Sequence, residues 1–221
     1  MPMYSVVVLL RKEIDMRWFT SDLHIGHNNI LRYCDRPFKD MDEMIAYMIK
    51  DWNDKVKPED TVYLMGDVAL NHNRAFGFIK LVTGTKILVM GNHDSCWHKS
   101  NKKQLYLDNG FSEVWKDTKI TLSDGKSVRL NHFPYRDSLA EQYDKRYLEH
   151  RPINVGDYLL HGHMHNKYLK SGRTMDVGYE HKLSLYTEQE VIDILNDERE
   201  YIPSRITEFY SNRKDKNGEA Y

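Results

Sequence analysis

The sequence predicts an α/β protein organised around a mixed sheet. Five short apolar runs of strand length recur along the chain, and each ends in a polar tip. Amphipathic segments with apolar residues three and four apart lie between them, and one stretch reads as two strands around an Asp-Gly turn.

Taken in order, residues 1–15 carry a short apolar run and read as a lead-in or an additional edge strand. MRWFTSD (16–22) is the first expected strand, its apolar core running into Ser21 and Asp22. DMDEMIAYMIKDWNDKV (40–56) sets Met41, Met44, Ile45, Met48, Ile49 and Trp52 at helical spacing, and its acidic start complements the helix dipole. TVYLMGD (61–67) and KILVMGN (86–92) are the next strands, with NRAFGFIKLV (73–82) helical between them. VWKDTKITLSDGKSVRLNHF (114–133) supplies the pair of strands about Asp124-Gly125, the second of them SVRLNH (127–132). DYLLHGH (157–163) is the last expected strand and TEQEVIDILNDE (187–198) the last helix. The main domain is drawn over 16–205, with 206–221 as a polar, frayed tail.

Composition limits the setting. Lys and Arg number 32 against 33 Asp and Glu, so no strong overall field draws the chain to nucleic acid or an anionic membrane. Cys34 and Cys96 are too few for a disulfide framework and suit a reducing compartment, with cytoplasmic as the expected location. The apolar run near the N-terminus is too short to span a bilayer, so a soluble protein is expected.

The polar tips carry the chemistry. Asp22 and His24 sit two apart, and in extended chain such residues point the same way. Asp67 follows Gly66 and Asn92 follows Gly91, where glycine permits close backbone approach. His132 closes its own strand; His163 and His165 again differ by two, and His161 is expected to point away as a structural histidine. Each fragment alone has an ordinary reading, since Asp caps helices and Gly-Asp and Gly-Asn are turn dipeptides. Five strand ends that all supply oxygen or imidazole donors favour metal ligation, and α/β sheets gather their ligand sites at strand ends.

The ordered set Asp22-x-His24, Gly66-Asp67, GNHD (91–94), His132 and GHMH (162–165) resembles the calcineurin-like metallophosphoesterase superfamily, and FTSDLHIGHNNILRYCDRPF resembles its small bacterial and phage members. That resemblance implies a four-layer α/β/β/α sandwich of two mixed sheets with a dinuclear metal site at the strand ends. It implies Asp22, His24 and His165 on one ion, Asn92, His132 and His163 on the other, and Asp67 as the bridge. His93 would assist the leaving oxygen, with Asp94 orienting its ring, while hydroxide bridging the two ions attacks phosphorus. Mixed carboxylate, amide and imidazole donors suit Mn²⁺, Fe²⁺, Zn²⁺, Ni²⁺ or Co²⁺, with Mn²⁺ preferred.

Other residues invite roles at the substrate. His27 would contact phosphate or help cap a helix, His72 would be a solvated loop histidine or else reach the leaving group, and Tyr135 and Arg136 would stack on and pair with a nucleotide. The expected substrate is a small phosphodiester of nucleotide or cyclic-nucleotide type, because a protonated histidine helps a poor alkoxide leaving group most. A phosphomonoesterase and a protein phosphatase are the alternatives. A non-catalytic scaffold would be expected to have lost ligands, and none is missing here. The oligomeric state leaves no mark in the sequence.

Overall fold

The structure is a computed structural model that describes residues 15–203. The expected lead-in, apart from Asp15, and the expected polar tail lie outside the described residues. The elements are β1 (Arg17–Thr20), α1 (Ile30–Tyr33), α2 (Met41–Lys55), β2 (Thr61–Leu64), α3 (His72–Ile79), β3 (Thr85–Val89), α4 (Ser95–His98), α5 (Lys103–Leu107) and β4 (Phe111–Trp115). There follow β5 (Asp117–Thr121), β6 (Ser127–Asn131), β7 (Tyr158–His161), β8 (Lys170–Ser171), β9 (Thr174–Asp176), β10 (Tyr186–Thr187), α6 (Glu188–Asn196) and β11 (Tyr201–Ile202).

Two mixed sheets form, as expected. One has the order β10-β1-β2-β3-β4, with β1 to β4 parallel and β10 antiparallel at the edge. The other runs β11-β8-β9-β7-β6-β5, with parallel β6, β7 and β9 flanked by antiparallel strands. Alternation along the strands sends Trp18, Val62, Leu64 and Leu88 into one core with Met44, Met48 and Trp52 of α2 and with Phe76 and Ile79 of α3. Burying each such side chain contributes about 1.5–3 kcal/mol. Phe19 and Val89 face the other way and meet Val128, Leu130, Leu160 and Met175 of the second sheet, together with Val191 and Leu195 of α6.

The helices start where the sequence provides caps. Asp40 accepts from the Glu43 amide at the head of α2, and Thr187 and Glu190 form a reciprocal capping box on α6. The stretch 114–133 is divided differently from expectation. Val114 and Trp115 belong to β4 of the first sheet, and only β5 and β6 form the hairpin around Asp124-Gly125, with Gly125 at φ +87°. Among the described residues no helix is long and apolar enough to cross a membrane.

Candidate functional site

The strand registers align the ends that matter. Thr20 pairs with Leu64 and Leu64 with Leu88, so the tips after β1, β2 and β3 emerge together. In the second sheet Leu130 pairs with Leu160, which sets His132 beside the turn after β7.

Past these ends the backbone leaves the extended form. Asp22, His24 and Asp67 have φ of 57, 51 and 53°, and His163 and His165 have 69 and 53°. Left-handed backbone is unfavourable for residues with a Cβ and persists where surrounding structure enforces it. Hydrogen bonds from the Asp22 amide to Gly66 O and from the His24 amide to Asp67 O, both 3.0 Å, hold the first two turns to each other. The two-residue spacings therefore converge through left-handed turns, not through continued strand as the spacing suggested. A Cβ on Gly162 would overlap Ser21 Oγ and Asp22 Oδ2, so only glycine lets the His163 turn close onto the Asp22 turn.

All seven expected ligands gather here. Asp22, His24 and His165 present donor atoms within 4.8 Å of one another, as do Asp22, Asp67 and His132. His132 Nε2 lies 3.5 Å from Asp67 Oδ2 and 3.2 Å from Asn92 Oδ1, while His24 Nε2 is 3.7 Å from Asp67 Oδ2. The His163 ring centre is 5.3 Å from that of His132, and the His163 amide donates to Asp22 Oδ2. Burial works against charge on Asp22 and Asp67, yet the imidazoles around them hold both carboxyls below the usual range.

The site fits divalent cations on its own terms. Asp22 Oδ1, both ring nitrogens of His24 and His163 Nε2 are buried without a hydrogen-bond partner. Such groups cost about 1–3 kcal/mol each when nothing satisfies them. Carboxylate, amide oxygen and imidazole converging in this way form a donor set for a first-row divalent ion.

Outer contacts brace the donors. His132 Nδ1 lies 2.6 Å from Met65 O and His98 Nε2 lies 2.9 Å from Asn92 O. His93 exposes its ring, with Nε2 3.9 Å from Asp67 Oδ2, and its amide donates to Asp67 Oδ1. Asp94 does not orient that ring. It is fully buried, and its two oxygens accept from the amides of Gly91, Asp67 and Val68, which fixes the turns carrying Asp67 and Asn92. Burial and the neighbouring Asp67 push its carboxyl up to about 7.

A cleft of about 500 Å³ opens over the donors, bordered by His24, His27, His93, His163 and His165 with Tyr33, Tyr143, Arg146 and Lys167 at its mouth. His27 belongs to the cleft; its backbone carbonyl, not its ring, serves the start of α1. The other expected substrate contacts lie elsewhere. Tyr135 is fully buried and donates to Asp157 O, so no base can stack on it. The Arg136 guanidinium donates twice to Leu148 O, and His72 sits at the start of α3 with Nδ1 3.4 Å from Ser95 Oγ. His161 is buried at the end of β7, with Nδ1 2.8 Å from Gly162 O.

Sequence reasoning missed three residues. Arg36 is buried, donates to the carbonyls of Asp22 and Leu23, and pairs with buried Glu180, whose Oε1 faces His165 Nδ1. Asp144 lies against His163. None carried a spacing or strand-end signal, because each is remote in sequence from the histidine or turn it serves. Cys34 also borders the site, grouped with His165 and Glu180, and burial raises its thiol pKa.

Comparison with known proteins places these observations. A family model described as calcineurin-like phosphoesterase matches residues 17–167. An uncharacterised protein of Methanocaldococcus jannaschii is 30% identical over 155 residues, covering 69% of this chain and 70% of its own. The Gene 66 protein of Mycobacterium phage D29 is 33% identical over 197 residues, covering 81% of this chain and 96% of its own. A crystal structure of a protein of unknown function from Aquifex aeolicus superposes with a TM-score of 0.61 at 25% identity, covering 82% of this chain and all of that one.

Proposed function

Because the chain belongs to the calcineurin-like phosphoesterase family, and is thus a metal-dependent phosphoester hydrolase, we propose that it cleaves small phosphodiesters of nucleotide type. In this reading Asp22, His24 and His165 would hold one divalent cation, Asn92, His132 and His163 would hold a second, and Asp67 would contribute to both. The observation that carries it is the convergence of these donors with buried ring nitrogens and a carboxylate oxygen that nothing else satisfies. Bound cations supply charge neutralisation at phosphorus and make water nucleophilic at neutral pH. Mn²⁺ is the preferred occupant, for want of any thiolate among the seven donors.

The chain's own groups do the rest. His93 Nε2 delivers a proton to the leaving oxygen, a role supported by a ring that is 43% exposed on the cleft side of Asp67. Asp94 acts at one remove by holding the amides of the Asp67 and Asn92 turns. A cleft of about 500 Å³ leaves room for substituents on both sides of a phosphate, which favours the diester over the monoester. Tyr33 and Tyr143, both exposed at its mouth, offer ring faces to a base, and Arg146 and Lys167 offer positive charge to further phosphate.

The test compares bis-p-nitrophenyl phosphate with p-nitrophenyl phosphate, using chelator-stripped protein resupplied with Mn²⁺, Ni²⁺ or Zn²⁺, alongside Asp67→Ala. Metal-dependent turnover that prefers the diester and vanishes in the variant is expected. Preference for the monoester would overturn the diester reading, and turnover surviving in Asp67→Ala would overturn the ligand assignment.

A further inference from the structure

We propose that Asp144 is an additional ligand of the cation assigned to Asn92, His132 and His163; this rests on the reading of the site given above. Asp144 Oδ2 lies 3.2 Å from His163 Nε2. Two donors at about 2.1 Å from one ion and at right angles to each other stand about 3 Å apart. The pair His132 Nε2 and Asn92 Oδ1, both assigned to that cation, shows the same 3.2 Å separation. Asp144 and His163 are therefore spaced as neighbouring ligands are. Nε2 of His163 is buried and Asp144 is the acidic group lying against it, without a well-aligned hydrogen bond between the two.

The segment that delivers Asp144 is built in place. Arg151, which is 3% exposed, donates through Nη2 to the carbonyls of Asp144 and Arg146 and pins the turn from beneath. Tyr147 and His150 pack against Trp97 and Phe133, and the Tyr147 and Phe133 rings also border His163. Arg146 reaches Asp144 from the solvent side, its amide and Nε donating to Oδ1 and its Nη2 to Oδ2, the oxygen that also lies against His163.

Charge balance points the same way. The Asp22 side of the centre has a carboxylate of its own in addition to shared Asp67. The Asn92 side has three neutral donors, so a divalent ion there would share one carboxylate and own none. Asp144 supplies the missing charge, and Arg146 then becomes the outer partner that orients it.

The experiment is calorimetric titration of chelator-stripped full-length protein with Mn²⁺, repeated on Asp144→Ala, Asp144→Asn and Arg146→Ala. Wild type is expected to take two ions. Asp144→Ala should weaken one of the two by more than the roughly 10–100-fold that loss of an outer contact costs, and leave the other within twofold. Asp144→Asn, which keeps an oxygen acceptor for the Arg146 amide and so preserves the turn, should weaken the same ion to a smaller extent. Arg146→Ala, which removes the outer partner of Asp144, should weaken that same ion and leave the other within twofold. Unchanged affinities in both Asp144 variants overturn the proposal, as does tighter binding, which would mark a carboxylate that the ion has to displace. A wild-type protein that binds no Mn²⁺ would instead overturn the underlying assignment of the site.

Discussion

Oε1 of Glu180 lies 3.0 Å from Nδ1 of His165, and the buried Arg36 guanidinium donates to the same oxygen. Burial disfavours charge on His165, but Glu180 and Asp22 outweigh it and raise the imidazole pKa well above its usual value. A carboxylate on one ring nitrogen fixes the tautomer and turns the other nitrogen toward the donor cluster. Arg36 binds Glu180 and the Asp22 carbonyl together, so one buried guanidinium sets two sides of the centre.

Glu180→Gln should therefore act on both stability and metal binding. It leaves the Arg36 charge buried without its counter-ion, which costs about 3–5 kcal/mol. Urea unfolding of metal-free protein reads that loss, and Mn²⁺ titration of the folded variant should show about 10–100-fold weaker binding at one ion. A stability change below about 1 kcal/mol would show that the pair is not the brace described.

His93→Ala separates proton delivery from metal holding. The ring stands 3.9 Å from Asp67 Oδ2, beyond hydrogen-bond distance, and the residue's hydrogen bond to Asp67 runs through its backbone amide, which alanine retains. Turnover of a diester with an alkoxide leaving group should fall about 10²–10⁴-fold, while Mn²⁺ affinity stays within twofold. Diesters with a nitrophenolate leaving group should suffer less, because that group departs without a proton. An equal loss for both leaving groups would argue against general-acid action.

Strand-end motifs made much of this centre legible. Asp22, His24, Asp67, Asn92, His132, His163 and His165 each stand within a few residues of an apolar run, so local pattern exposed them. The way they converge is not legible, because nothing in an Asp-x-His spacing announces φ near +50°, a conformation imposed by contacts between turns. Tyr135 and Arg136 follow His132 closely in sequence, but proximity along the chain does not carry a side chain into the cleft: Tyr135 is buried against Asp157 O and Arg136 is held by Leu148 O. Arg36, Asp144 and Glu180 act through pairings across 144, 19 and 15 residues that no periodicity encodes.

Gly162→Ala tests the closure of the two sheets' turns. The added methyl meets Ser21 Oγ and the Asp22 carboxylate, neither of which can retreat, since Ser21 Oγ donates to Met65 O and Asp22 Oδ2 accepts from the His163 amide. The expected cost is about 1–3 kcal/mol in unfolding free energy, with Mn²⁺ binding lost or weakened at both ions because Asp22 and His163 are forced apart. Wild-type Mn²⁺ affinity in the variant would show that the contact is not needed to assemble the donors.

Asp60 offers a pH-dependent test away from the metal donors. Burial alone would raise its pKa, but the Lys57 and Met16 amides and the Trp18 indole all donate to its carboxylate and hold it below the usual value. A carboxyl whose pKa is lower folded than unfolded stabilises the protein above its unfolded pKa, near 4, and that contribution fades as pH falls through the folded value. Asp60→Asn turns one acceptor oxygen into a donor facing donors, so it should cost about 1–3 kcal/mol at pH 7. The gap between wild type and variant should narrow as pH drops below about 4, because the protonated aspartic acid and the substituted amide are then alike in charge. Urea unfolding followed from pH 7 to pH 3 reads both effects, and a gap that stays constant or widens on acidification would contradict the depressed pKa and the three-donor cap behind it.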